Sequence, residues 1–441
     1  MKLPHIKRYD AYQDSGVEWL GEVPAHWEVK RLKDTIACGL SYGANESAVD
    51  SNPKHPRYIR ITDFSDDETL KDETFKSLAP DVANAYLLKD GDILFARSGA
   101  TAGKTFHFKG YKGKACYAGY LIKARLKNSV LSPDFLSLYT KSFVYNDWRN
   151  SIVIKATIEN ISAEKYGFFL FVPTPPLLEQ TAIAAYLDTK TAQLDRQIEL
   201  LGQKAVQYGK LKQSLINETV TRGLDKTVAM KDSGVAWIGE IPAHWEVRRI
   251  KEVCDINKRT LSEKTSASYE FDYVDIGGVT YGVKNFVKER MTFDVAPSRA
   301  KRVVQKGDTI VSTVRTYLKA IAFIDEEVTD LIVSTGFAVV SPRKVVVNKY
   351  CSYLLTSNCM VDEICALSTG VSYPATNATV IGDLFFLLPP IVEQQAIAAY
   401  LDTKTAHIDR IITTLNRQIA TLKELRNTLI NEVVTGKIKV M

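Results

Sequence analysis

The chain has 441 residues, enough for two or three domains with cores of their own. Apolar residues make up 45% and charged residues 24%, the fractions of an ordinary soluble protein, and no apolar run approaches membrane-spanning length. Lys and Arg number 57 against 51 Asp and Glu, so the net charge of +6 permits a polyanionic partner without requiring one.

The first ten residues hold no apolar core of a signal peptide, and the chain reads as a cytoplasmic protein. An opening segment, Asp14-Ser-Gly-Val-Glu-Trp-Leu-Gly-Glu-Val-Pro-Ala-His-Trp27 and on to Lys33, returns at 232–251 with 15 of 20 positions identical. His26 and His244 stand beside a tryptophan in these segments with no nucleophile or ligand nearby, so they are read as packing or docking groups. A first globular domain completes residues 1–174. Strands are expected at 58–61, 92–96, 119–125 and 168–172, and a helix from the Ser132 cap with Pro133 at its first position to about Trp148. Cys38, Cys116, Cys254, Cys351, Cys359 and Cys365 show no Cys-x-x-Cys spacing and no histidine cluster, so reduced thiols and no metal site are expected.

Residues 175–224 are expected to form a long helix. It starts at Pro175-Pro-Leu-Leu-Glu-Gln, where the prolines do no harm and Glu179 meets the positive first turn. The second opening segment and a second domain fill 225–388. There Lys306-Gly-Asp-Thr-Ile matches Lys89-Asp-Gly-Asp-Ile as a turn followed by a strand, a helix is expected from Asn348 to about Leu367, and a strand at 384–388. Residues 389–441 repeat the long helix from Pro389-Pro-Ile-Val-Glu-Gln, with Glu393 in the place of Glu179. Each rod should run for roughly 45 residues, about 65 Å.

Apolar positions in the rods recur every seventh residue. Leu187, Leu194, Leu201, Tyr208 and Leu215, with Ile198 and Ala205 between, form one seam; Leu401, Ile408, Leu415, Leu422 and Leu429, with Ile412 and Ile419 between, form the other. The large insertion between the helices makes an antiparallel intramolecular coiled coil the simplest packing; two separate amphipathic helices are the alternative. Thr191, Lys212, Thr405 and Arg426 break the apolar seam. Each threonine is expected to face the other helix's basic residue and set the register. The fold class that follows is α+β: two mixed α/β domains separated by two long antiparallel coiled-coil helices, internally duplicated with pseudo-two-fold symmetry.

Catalytic readings fare poorly. Ser98-Gly-Ala-Thr-Ala-Gly-Lys-Thr105 falls one position short of a phosphate-binding loop, and the stretch after it is strand-like rather than helical. No Asn-Pro-Pro-Tyr or Asp-Pro-Pro-Tyr segment for amino methylation is present, and Glu73 and Lys76 lack the upstream Pro-Asp of a nuclease.

The duplicated opening segments, the two Pro-Pro-x-x-Glu-Gln-x-x-Ile-Ala-x-Tyr-Leu-Asp rod starts and the Gly91-Asp-Ile-Leu-Phe-Ala-Arg-Ser-Gly-Ala-Thr-x-Gly-Lys104 run resemble the DNA specificity subunit of type I restriction-modification systems over essentially the whole chain. The resemblance implies a non-catalytic subunit with two target recognition domains for the halves of a split DNA site. It implies two partner modification subunits that use S-adenosylmethionine to methylate adenine, and restriction subunits that carry an ATP- and magnesium-dependent translocase and nuclease. The second domain has Thr313-Val-Arg-Thr-Tyr-Leu-Lys319 where the first has its Ser-Gly-Ala-Thr loop, so roles do not transfer between them residue by residue.

Candidate DNA contacts are Arg97, Ser98, Thr101 and Lys104 in the first domain, on a glycine-loosened loop after a strand, with Arg97 placed to fork onto guanine. Arg315, Thr316, Tyr317 and Lys319 occupy the matching loop of the second. Tyr42, Asn45, Arg60, Ser372, Tyr373 and Asn377 are candidates on neighbouring loops. Basic clusters at Lys109, Lys112 and Lys114 and at Arg299, Lys301 and Arg302 are phosphate contacts or solvated faces. The competing class is a non-DNA coiled-coil scaffold whose two domains bind proteins. A methylation-only system lacking a nuclease is a further alternative.

Overall fold

The computed structural model describes residues 7–65, 69–153, 160–280, 286–370 and 373–441. The chain divides into two compact units, one made of residues 1–201 and 417–441, the other of 202–416. Each unit holds one opening segment, one globular domain and part of both rods.

In the first unit the opening segment is a short hairpin, Tyr12–Asp14 against Glu22–Pro24, followed by Glu28–Arg31, which pairs antiparallel with Phe171–Thr174 at the domain's far end. The domain is thereby zipped shut where it leaves for the rod. Its central antiparallel sheet runs in the order Ser41–Tyr42, Leu121–Ala124, Asp92–Ala96, Thr105–Phe108. Alternate residues of the Asp92–Ala96 strand feed two cores: Ile93 and Phe95 pack under Phe135, Leu136 and Trp148, while Leu94 and Ala96 face Ile59, Phe106 and Phe108. Asp92, buried at the strand's start, accepts from the Lys89 N–H at 2.8 Å and from Arg125 at 2.8 and 2.7 Å.

The second unit repeats this frame. Met230–Asp232 pairs Glu240–Pro242, Glu246–Arg249 pairs Phe385–Leu388, and the central sheet runs Cys254–Ile256, Phe337–Pro342, Thr309–Ser312, Ile321–Phe323. Asp308 takes the part of Asp92, accepting from the Gln305 N–H at 2.8 Å and the Ser341 hydroxyl at 2.6 Å, with Arg259 as its cation. The outer layer differs. Where the first unit has a parallel pair, Arg57–Ile59 with Ala115–Tyr117, the second has a four-stranded mixed sheet in the order Glu289–Thr292, Glu270–Val274, Leu331–Ser334, Ala300–Val303.

The rod helices span Leu177–Arg222 and Ile391–Val434, 46 and 44 residues. In each unit they run antiparallel, the early part of one along the late part of the other, and every predicted seam residue is buried or half-buried. The threonine-to-cation pairing is corrected. Arg426 meets Asp195 at 2.9 Å in the first unit and Lys212 meets Asp409 at 2.7 Å in the second. These aspartates lie one turn beyond Thr191 and Thr405, because a cation in a half-buried seam needs a carboxylate rather than a hydroxyl to offset its desolvation.

Both rods are tied to the domains at each end. At the start, Glu179 accepts from His26 at 2.9 Å and from the Tyr9 hydroxyl, and Glu393 accepts from His244 at 2.8 Å and the Trp245 N–H at 3.1 Å. Gln180 and Gln394 each bond a domain loop, through Val130 and Ser132 in one case and Val345 and Val347 in the other. At the end, a repeated Leu-Ile-Asn-Glu places Asn431 Oδ1 3.3 Å from the Val144 N–H and Asn217 Oδ1 3.0 Å from the Cys359 N–H. Each rod then turns at a glycine with positive φ, Gly223 at +72° and Gly436 at +75°. A Cβ at Gly436 would lie 2.3 Å from Pro24 and 3.1 Å from Trp27; one at Gly223 would lie 3.2 Å from Trp245.

Four expected elements differ. The helix expected from Ser132 is two helices, Pro133–Tyr139 and Phe143–Val153, and that from Asn348 is Asn348–Leu355 and Asn358–Ala366. Each break falls at a serine, Ser142 or Ser357, where the rod asparagine accepts an N–H that the new helix start leaves unpaired. The strand expected at 168–172 begins only at Phe171, after a helix Ala163–Phe169 capped by Ser162. The strand expected at 58–61 is Arg57–Ile59, and Ile61 already lies in a 3-10 turn.

All six cysteines are free thiols; Cys38 is exposed while Cys116, Cys254 and Cys351 are buried. Burial pushes the Cys116 thiol up to about 12. Alkylation of the native protein near pH 8 should therefore mark Cys38 first and spare Cys116 and Cys351 until the chain unfolds, as mass mapping of labelled peptides would show. Among the described residues no helix is long and apolar enough to cross a membrane.

Candidate nucleic-acid interface

The strand Asp92–Ala96 delivers Arg97 to the surface. Its backbone is held on both sides, the N–H donating to the Tyr120 carbonyl at 2.9 Å and the carbonyl accepting from Ile161 at 2.8 Å. Its guanidinium carbon lies 4.9 Å from the centre of the Tyr42 ring, and Nε donates to Asn160 Oδ1 at 3.3 Å. The Tyr42 hydroxyl in turn accepts from the Ala163 N–H at 3.0 Å, which fixes the ring. Ser98 leads into a 3-10 turn, Gly99–Thr101, and then a strand, Thr105–Phe108, so no helix stands behind the loop to hold a nucleotide phosphate.

The second domain reaches a like arrangement with other residues. After the strand Thr309–Ser312, Arg315 adopts a left-handed backbone, φ +52°, held by donation to the Pro374 carbonyl at 2.8 Å. Its guanidinium lies 4.7 Å from the centre of the Tyr373 ring, which is 62% exposed. Tyr317 is 54% exposed on the same loop, whereas Thr316 is buried and bonded to Ser368 at 2.7 Å. Thr316 therefore shapes the loop. Lys319, also left-handed, reaches Asp362 at 3.4 Å.

Each loop also borders its unit's rod. In the first unit Thr101 and Lys104 line a groove of about 440 Å³ with Lys141, Arg149, Asp195 and Arg426. In the second, Lys319 lines one of about 620 Å³ with Lys210, Lys212 and Asp409. Asp195 and Asp409 escaped sequence reasoning, although both stand at the same place in the repeated Thr-Ala-x-x-Asp.

Other candidates are spent on the fold. Arg60 forks onto buried Asp63, its Nη2 2.7 Å from Oδ1 and its Nε 3.1 Å from Oδ2, with a further bond to the Thr74 carbonyl. Asn377 caps the helix Ala378–Asp383 by accepting the Val380 N–H at 3.0 Å. Asn45 is exposed beyond Tyr42. Ser372 lies outside the described residues. Of the basic clusters, Lys109 is bound to Asp134 at 2.6 Å, which raises its pKa, Arg299 to Asp275 and Lys301 to Glu263; Lys112 and Lys114 are exposed. Among the described residues no group of three metal-ligating side chains exists.

Residues 24–205 and 242–421 each match the family described as the type I restriction modification DNA specificity domain. The chain belongs to this family. It is 26% identical over 439 residues to the type I restriction enzyme MjaVIII specificity subunit of Methanocaldococcus jannaschii, covering 95% of this chain and 94% of that one. A second protein of that organism, the putative type I restriction enzyme MjaX specificity subunit, is 25% identical over 435 residues, 96% of each chain. Among solved structures, a chain from a study of complex assembly and conformational transition of the type I R-M system aligns with TM-score 0.71 at 17% identity, covering 93% of this chain and 98% of that one. The HsdS subunit from Thermoanaerobacter tengcongensis aligns with TM-score 0.52 at 18% identity, covering 94% and 98%. These likenesses agree with the duplicated α+β fold. As a specificity subunit the chain serves DNA sequence recognition and is not itself an enzyme; catalysis belongs to other subunits.

Proposed function

We propose that the chain reads the two halves of an asymmetric, bipartite duplex site, one with each domain, and recruits two modification subunits together with restriction subunits. The observation that carries this reading is a duplicated frame that offers, at the same strand end of two different domains, a surface arginine on a loop of different sequence. Equal frames suit two copies of one partner; unequal loops suit two different half-sites. A stiff two-helix spacer lets both domains meet the major groove when their centres are about one helical turn, roughly 34 Å, or a multiple apart. S-adenosylmethionine, ATP and magnesium belong to the partners on this reading, and the place of action is the cytoplasm.

Modification-sensitive mapping of adenine methylation in cells with and without this gene tests the function. Loss of one split, asymmetric motif is the expected result; unchanged methylation, with the modification subunits present, overturns it. Affinity for duplex DNA should also fall steeply with added salt, which a protein-binding scaffold need not show.

Recruitment is read at the rod starts. Leu178 and Val392, at matching positions of the first helical turn, are 83% and 72% exposed beside Leu177 and Ile391. Such paired apolar patches next to the repeated histidines fit two identical partners. Leu178→Asp or Val392→Asp should each reduce the modification subunits bound from two to one, and the double variant should bind none, as native mass measurement would show.

A further inference from the structure

Arginines on the two domains are mostly committed to carboxylates: Arg57 to Asp72, Arg60 to Asp63, Arg125 to Asp92, Arg259 to Asp308, Arg343 to Asp255. Among the described residues Arg149 and Arg302 bond only neutral side chains, Asn150 and Thr260; Arg97 and Arg315 likewise meet no carboxylate. Each instead lies over a tyrosine ring, at 4.9 and 4.7 Å, just past the central strand of its sheet. The rings come from unrelated places, Tyr42 on an edge strand before the central one and Tyr373 in a loop after the helices. Two sequences that hardly resemble each other have arrived at the same stack. Arg315 holds it from a left-handed backbone that a non-glycine residue adopts only when its surroundings enforce it.

A guanidinium stacked on one face leaves donors free at its edge, the two Nη groups at Arg97 where Nε is held by Asn160, and loses little further freedom on binding. That planar fork matches guanine O6 and N7 in the major groove, whereas a phosphate contact needs only charge and tolerates lysine. We propose that Arg97 and Arg315 are the specificity-determining guanine readers of the two half-sites, each presented by its tyrosine ring, so that each half-site contains one G·C pair at the position its arginine meets. The inference rests on the DNA-reading function proposed above.

The test is adenine-methylation mapping in cells that carry the modification subunits with the wild-type chain or with Arg97→Lys, Arg315→Lys, Tyr42→Phe or Tyr42→Leu. Arg97→Lys should relax one G·C position in one half-site, the preference for guanine falling about 5- to 150-fold, and leave the other half-site intact. Arg315→Lys should do the reverse. Tyr42→Phe should keep the motif and Tyr42→Leu should relax the position lost in Arg97→Lys. A wild-type half-site without a G·C pair overturns the inference. So do lysine variants that keep both half-sites and lower methylation uniformly, the mark of a phosphate contact. A wild-type chain that yields no split motif at all overturns the function reading beneath it, a result distinct from either.

Discussion

Inserting one heptad into both rod helices, after Leu201 and after Asn416, should lengthen the unread gap of the target and leave both half-sites as they were. The two insertion points are where the chain passes from one compact unit to the other. Placed there, the extra turns leave Arg426 with Asp195 and Lys212 with Asp409, so each unit keeps its own register. A heptad adds about 10 Å of helix, or about three base pairs of duplex. It rotates the helix by only about 20°, while three base pairs turn the duplex by about 100°, so the longer site should also be methylated more slowly. Methylation mapping reads both effects. An insertion in one helix alone should instead misalign the seam and lower stability. An unchanged gap with both helices extended would show that the rod does not set the spacing.

The largest loss of stability is expected from Trp27→Ala and Trp245→Ala. Trp27 is 1% exposed and packs against Tyr9 and Phe135 with ring centroids 5.8 and 6.5 Å away; Trp245 is 0% exposed. Truncation of such a residue costs about 3–5 kcal/mol. The two phenylalanine variants should differ. The Trp27 N–H has no acceptor among the described residues, whereas the Trp245 N–H donates to Glu393. Trp245→Phe should therefore cost about 1–2 kcal/mol more than Trp27→Phe, because only there is a hydrogen bond to a carboxylate lost. Denaturant unfolding of the four variants, with each transition fitted separately, provides the comparison.

The rods and the duplication were legible because both are patterns of near neighbours. A seven-residue period repeats along one helix, and the opening segments match residue for residue. The turn at Asp92 and at Asp308 was visible for the same reason. What escaped depends on partners remote in sequence. Ser142 and Ser357 stop their helices with help from Asn431 and Asn217 on the rods. Arg60 stands among the candidate DNA contacts by sequence, whereas the fold brings it to Asp63 and the Thr74 carbonyl. Arg97 stood out on its loop, but its ring was not assignable, since the first domain draws Tyr42 from before the strand and the second draws Tyr373 from after it. Loop surfaces are selected for what they meet, so no periodicity marks them.

The first unit is built from both ends of the chain. Its core takes Leu429, Ile430, Val433, Val434 and Ile438 alongside Val23, Trp27 and Leu32, while the second unit is one uninterrupted stretch. On the ribosome the half made first is therefore the half that finishes last. A chain cut before residue 417 would hold a complete second unit and a first unit stripped of part of its core, so the order of completion reverses the order of synthesis.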